Sequence, residues 1–309
     1  MSALGHLGAG PGTGSAVPPR PSEPVAGGKR RKLLPYLLLL PGGLWLVVFF
    51  VVPLGSLFAT SLYDPSGSLQ DGYAMTWHFA NYVDAVRDFL PQFGRSLLYS
   101  SITTVACLLL GYPLAYAIAQ KAGRFKTLLL VCVIAPFFTS FLLRTLAWKT
   151  ILSDNGGLVQ FLRGLPLIPD DLQLLATPFA VVCGLIYNFL PFMVLPLYAS
   201  LEKLDGRLLE AASDLYSNSF AAFRKVTLPL SMPGVVAGTL LTFIPAMGDY
   251  INSSLLGTPN TTMIGNVIQS RFLVVTDYPS AAALSFVLMA SILILVLIYV
   301  RRAGTEEVL

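Results

Sequence analysis

Six stretches of this chain contain no Asp, Glu, Lys or Arg: residues 33–63, 96–120, 127–143, 172–201, 226–248 and 278–300. About 20 mostly apolar residues cross the hydrocarbon core of a bilayer as a helix, whereas a soluble helix of such length keeps a charged face. The pattern therefore predicts an all-α membrane protein with six transmembrane helices. Between the fourth and fifth runs the pattern changes, in "LEKLDGRLLEAASDLYSNSFAAFRKVTLPLSMPG". Leu208, Leu209, Ala212 and Leu215 recur at helical spacing and give a helix with one apolar stripe. "YSNS" at 216–219 breaks it, and Asn218 or Ser219 is placed to cap a second short helix through Phe220, Phe223 and Val226, ended by Pro229 and Pro233.

Composition narrows the class without changing it. The chain is 55% hydrophobic and 12% charged, with a net charge of +4. Its basic residues cluster near helix ends, which speaks of membrane topology and not of nucleic acid. Fourteen of the 20 Lys and Arg fall on one side if Lys29–Lys32 marks the inside, so both termini are expected in the cytoplasm. Residues 64–94, 151–171 and 257–277 then form the outer segments. The three cysteines, Cys107, Cys132 and Cys183, lie in separate apolar runs, which suits packing and neither a disulfide framework nor a zinc site. The first 28 residues hold seven Gly and five Pro and read as a disordered tail. "KRRK" opens an apolar run about twice the length of a signal-peptide core, so an uncleaved first helix is expected. The organisation predicted is a tail at 1–32, a six-helix domain at 33–302 with a loop at 202–232, and a short tail at 303–309. Pro41, Pro53, Pro113, Pro136, Pro191, Pro196 and Pro245 punctuate the helices and can kink them.

A water-facing helix–turn–helix with aromatic knobs at its bend is shaped to fill a groove on a protein partner. An amphipathic pair lying on the headgroups is the other reading. Glu210 and Asp214 lie one turn apart and would be repelled by an anionic membrane surface, which favours the protein partner. At these residues the chain resembles the permease subunits of binding-protein-dependent ABC importers. Their "EAA" loop reads Glu-Ala-Ala, three residues, Gly, nine residues, an aliphatic residue, any residue, Leu-Pro. Glu210-Ala211-Ala212, Val226 and Leu228-Pro229 keep that spacing, with Tyr216 where the family has Gly. Gly permits a left-handed backbone that Tyr tolerates poorly, so the turn uses ordinary angles or passes the strain to Ser217 or Asn218.

The resemblance implies a type I importer permease of a bacterial inner membrane, with the loop seated as a coupling helix in a cleft of a separate ATP-binding subunit dimer. Glu210, Ala211, Ala212, Asp214, Leu215, Tyr216, Ser217, Phe220, Leu228 and Pro229 would make that contact. It also implies a second homologous permease subunit and an extracellular or periplasmic substrate-binding protein. "PFFTSFLLRTLAW", "NFLPFMVLPLYASLEKLD" and "FIPAMGDYINSSLLG" resemble the spermidine/putrescine branch. The chain has no Gly-x-x-x-x-Gly-Lys-Ser/Thr loop, so the ATP would be bound by the partner. His6 and His78 form no metal or catalytic constellation, and neither a cofactor nor an enzymatic activity is expected.

Asp249 directly follows the fifth apolar run and is the acid read here as embedded in the membrane. Counted along straight helices at the rise of an α-helix, Asp249 and Arg144 lie at similar depth, roughly 24 and 25 Å from the inner ends. Embedded charges face the bundle interior and find partners. Either Asp249 pairs with Arg144 and locks two helices, or its carboxylate meets an ammonium group of a substrate, with Tyr250, Trp148, Tyr187 and Asn188 near the same path and aromatic faces offering cation–π attraction. Alternatives are an ABC permease for iron, thiamine or an anion, and a secondary transporter, which would show repeats or more embedded charges. A membrane scaffold would leave the patterned loop without purpose.

Overall fold

The computed structural model describes residues 30–68, 70–164, 173–205, 207 and 219–303. Most of the expected N-terminal tail, the loop residues 208–218 and the last six residues lie outside the described set. The chain divides into two units, residues 1–53 and 54–309. The first holds α1 (Arg30–Leu46), a π turn (Val47–Val51) and the start of α2 (Val52–Ser61). Its apolar side chains, from Tyr36 to Val52, are exposed. The π turn has a local cause. A proline removes a hydrogen bond and crowds the carbonyl four residues back, and here the residue before Pro53, Val52, donates to Val47 O, five residues back. The same device recurs before Pro229, where Leu228 donates to Phe223 O after the π turn Phe223–Thr227.

The second unit continues through α3 (Ala80–Tyr116), α4 (Lys126–Ile134), α5 (Phe141–Leu152), α6 (Gly157–Arg163) and α7 (Pro178–Glu202). After the loop come α8 (Ser219–Ala222), α9 (Leu228–Leu230), α10 (Met232–Met247), α11 (Ile251–Leu256), α12 (Ile264–Leu273) and α13 (Tyr278–Ala303). Four helical runs are long and apolar enough to span a membrane, and two bent pairs raise the number to six. The six predicted spans are thus present, but two of them are broken.

The third span breaks by 94° between Phe138 and Phe141. A 3-10 turn (Ala135–Phe138) carrying Pro136 ends the first half, Thr139 and Ser140 are extended, and Thr139 Oγ1 donates to Pro136 O at 2.7 Å. The straight-helix count that set Arg144 level with Asp249 therefore fails, because the chain changes direction four residues before Arg144. The second break, of 68°, falls at Ser231. Pro229 does not end the helix as expected: the helical run from Ser219 continues past it to Leu230, and Pro233 falls in the first turn of α10, where a missing N–H costs no hydrogen bond. Helix α10 is about 24 Å long at helical rise, and residues 226–230 lie before the bend.

All three outer segments expected as loops contain helix, α6 in the segment 151–171 among them. Residues 80–94 form the start of α3, which runs on for 37 residues despite Pro91 and Pro113. Residues 264–273 form α12, with Ile264 packed beside Ala283 and Leu284 of α13 and Ala85 of α3. At the centre lies α7, against α3 and α10. Its first half contributes Ala180, Val181, Leu185 and Phe189 to one cluster with Tyr99, Ala246 and Leu256. Its second half places Met193, Val194, Leu197 and Leu201 against Cys107, Tyr112, Ala115 and Val235. Cys107, Cys132 and Cys183 are free, and Cys107 is a packing residue of this second cluster.

Candidate functional site: a loop anchor and a broken helix

The return arm of the loop is fastened to the bundle at one elbow. Ser231, at the 68° break, is buried, and its Oγ lies 2.7 Å from Tyr112 Oη of α3. The Tyr112 ring meets Phe223 edge-on at 5.4 Å, so Phe223 faces the bundle. Phe220, three residues earlier, is 66% exposed. Leu228 packs against the cluster around Cys107, and Pro229 is exposed. The outgoing arm is tied as well: Gln120 Nε2 donates to Leu201 O at 2.7 Å, and Lys126 Nζ reaches Glu202 Oε1 at 2.6 Å. Of the residues expected to contact a partner, Glu210, Ala211, Ala212, Asp214, Leu215, Tyr216 and Ser217 lie outside the described residues.

The second site is the interruption between α10 and α11. Helix α10 ends at Met247, and Gly248, Asp249 and Tyr250 bridge to α11. Gly265 at the start of α12 lets that helix seat on the bridge, since a Cβ there would lie 2.4 Å from Gly248 O and 2.9 Å from Asp249 O. Asn266 secures it: its Nδ2 donates to Tyr250 O (2.8 Å) and Ser254 Oγ (2.6 Å), while its Oδ1 accepts from Met263 N (3.0 Å) and from Ser253 Oγ. Asp249 is 8% exposed, and its Oδ1 accepts from Asn252 N in the first turn of α11 at 2.9 Å. Tyr250 is 43% exposed.

The Arg144–Asp249 pair is not formed: neither takes part in an ion pair among the described residues. Arg144 is buried with its guanidinium 5.0 Å from the Phe137 ring centre and 5.6 Å from that of Phe141, and its Nε and Nη1 have no hydrogen-bond partner among the described residues. The break at Ser140 aims α5 on a new course, while Asp249 turns back to cap α11. Trp148 and Tyr187 do come together, with ring centres 5.4 Å apart. Asn188 is turned into the bundle, where its Nδ2 donates to Asn252 Oδ1 (3.0 Å) and Thr145 Oγ1 (3.2 Å).

Thr145, Asn252, Ser253 and Asn266 were not singled out in the sequence. All four are uncharged polar residues; Thr145, Asn252 and Ser253 follow apolar runs closely, where a search for such residues would have found them, since a polar side chain in a membrane bundle needs a hydrogen-bond partner, whereas Asn266 lies in the outer segment 257–277. Among the described residues no group of three or more His, Cys, Asp or Glu is arranged to hold a metal.

Comparison with known proteins agrees with this architecture. Residues 108–303 match the family model described as "Binding-protein-dependent transport system inner membrane component". The spermidine/putrescine transport system permease protein PotB of Haemophilus influenzae is 39% identical over 258 residues, covering 83% of this chain and 90% of that protein. Among solved structures, a bacterial ABC transporter that imports the acidic polysaccharide alginate superposes with a TM-score of 0.70 at 19% identity, over 90% of this chain and 97% of that one. A second structure, of a bacterial alginate ABC transporter in complex with an alginate pentasaccharide-bound periplasmic protein, gives 0.62 at 19% identity, over 87% and 93%. At that identity the likeness establishes the fold, which is that of a type I importer permease. Six spans, a broken fifth helix joined to a loop of the expected spacing, and a family match over most of the second unit converge on one conclusion: the chain belongs to the binding-protein-dependent transport system inner membrane components.

Proposed function

We propose that this chain is a permease subunit of an ATP-driven importer for polyamines such as spermidine and putrescine. The substrate class is supported by the PotB relative, and one observation of geometry carries it: Asp249, buried at a helix break, has no cation paired to it among the described residues. A carboxylate held by one backbone N–H beside an exposed Tyr ring suits a protonated amine better than an anion. Trp148 and Tyr187 extend the aromatic surface, and Arg144, boxed by Phe137 and Phe141, is assigned a place at the margin of that path.

In this reading the loop at 202–232 docks on an ATP-binding subunit dimer through Glu210–Pro229, and the ATP stays with that partner. A second homologous permease completes the pathway, and a periplasmic or extracellular binding protein delivers substrate. Both tails, 1–32 and 303–309, are assigned to the cytoplasm by the positive-inside bias. The test is uptake of labelled spermidine and putrescine into proteoliposomes holding all partners. ATP-dependent uptake is expected, and Asp249→Asn should lower it about 10- to 100-fold, the range for a lost charge-assisted hydrogen bond. Uptake driven by an ion gradient without ATP, or wild-type uptake by the Asp249→Asn protein at equal abundance, would overturn the reading.

A further inference from the structure

The polar node between α5, α7 and α11 is wired unevenly. Asn188 Nδ2 uses both hydrogens, one on Asn252 Oδ1 at 3.0 Å and one on Thr145 Oγ1 at 3.2 Å. Thr145 Oγ1 in turn lies 3.4 Å from Asn252 Oδ1. Two atoms of the node are buried without a partner among the described residues, Asn188 Oδ1 and Asn252 Nδ2. One is an acceptor and the other a donor, and they belong to two amides already joined by one bond. Two primary amides pair completely through reciprocal N–H···O bonds, so half of such a pair is made here and both components of the other half stand unpaired. A buried unpaired polar group is costly, which gives a conformation that closes the second bond an energetic advantage.

The spacing of α11 from α7 is set beside this pair. Gly184, one turn before Asn188, has room for no side chain: a Cβ would lie 2.4 Å from Leu256 Cδ1 and 2.7 Å from Asn252 Oδ1. Whatever moves α11 also moves Asp249, whose carboxylate is bonded to the Asn252 amide.

We propose that Asn188 and Asn252 are positioning residues whose amide pair, half made in this conformation, closes to two bonds in the alternate conformation of the transport cycle and so carries α11 and Asp249 between two settings. This rests on the transport reading above. The test is a double-substitution cycle of Asn188→Leu and Asn252→Leu in the assembled complex, with Gly184→Ala as a steric wedge. Each single Leu leaves the remaining amide with Thr145 as its only partner in the node, and the maximal rate of uptake is expected to fall about tenfold. The double variant replaces both amides by apolar groups of similar size, so its thermal stability should return near wild type while its maximal rate stays at least fivefold low, with KM within twofold. Gly184→Ala should lower the rate in the same way. A purely structural role predicts that rate recovers together with stability in the double variant, and that result overturns the proposal. So does a wild-type rate in Gly184→Ala. If single variants fail to fold, the double variant carries the test. A wild-type complex that imports no polyamine overturns the substrate reading alone, and the pair is then read from ATP turnover of the same variants with the same expected losses.

Discussion

The runs Tyr36–Ser61 and Pro178–Glu202 differ by one residue in length, and the first is the more apolar, yet none of its most hydrophobic 18 residues is buried while over half of the second run's are. In a soluble protein that ranking would be backwards. In lipid it is not, because the solvent is as apolar as the side chains and gives no hydrophobic reward for helix contact. Close approach decides instead. Met193 of α7 packs where Gly111 of α3 and Gly238 of α10 leave space: a Cβ at Gly238 would lie 2.8 Å from its sulfur, and one at Gly111 3.2 Å from its Cγ. From Tyr36 to Val52 the Leu, Val and Phe side chains are exposed, with the tilted rings of Trp45 and Phe49 4.2 Å apart.

The contrast is sharpest for truncation at the two sites. Met193→Ala in α7 should cost about 2–5 kcal/mol, the range for deleting a buried side chain without collapse of the cavity, read as a lowered midpoint of thermal unfolding of the purified protein. Next in size is the elbow that joins α3 to the loop. Tyr112→Phe removes the 2.7 Å bond to Ser231 while Ser231 Oγ keeps Leu228 O at 3.1 Å, so the loss should be about 1 kcal/mol, with fewer substrates moved per ATP as its functional signature. Smaller still is Glu202→Gln, which breaks the partly exposed pair with Lys126. Its unfolding midpoint should fall only slightly, and wild type and variant should converge as salt is raised. Smallest is Leu38→Ala on the exposed face of α1, expected within about 0.5 kcal/mol. A Leu38→Ala loss as large as that of Met193→Ala would break the comparison, because it would mean that a partner subunit covers α1 as tightly as α3 and α10 cover α7.

Much of the architecture was legible beforehand, since charge-free runs of sufficient length follow from composition alone. The breaks were not. The seven prolines named from the sequence were equal candidates for a kink, yet Pro191 and Pro196 sit within an unbroken α7, while the sharp bends fall at Thr139–Ser140 and Ser231. A proline in a packed helix has neighbours that hold its course, whereas Ser and Thr beside a short 3-10 or π turn offer the freed carbonyls new donors. The candidate site was legible in part. Trp148 and Tyr187, both named from the sequence, lie ring to ring, but Arg144 and Asp249 turned to different surroundings because a linear count of depth cannot foresee a 94° bend.

What the amino-acid order settled unaided was the number and the bounds of the runs that are long and apolar enough to cross a bilayer. Those follow from local chemistry: a charge either is or is not present in a stretch of about 20 residues. Which polar residues meet was left to the tertiary structure. Thr145, Asn188 and Asn252 are far apart in the chain and lie within 3.4 Å of one another in space, because hydrogen bonds act over a few ångströms and only the packing of α5, α7 and α11 brings them into range.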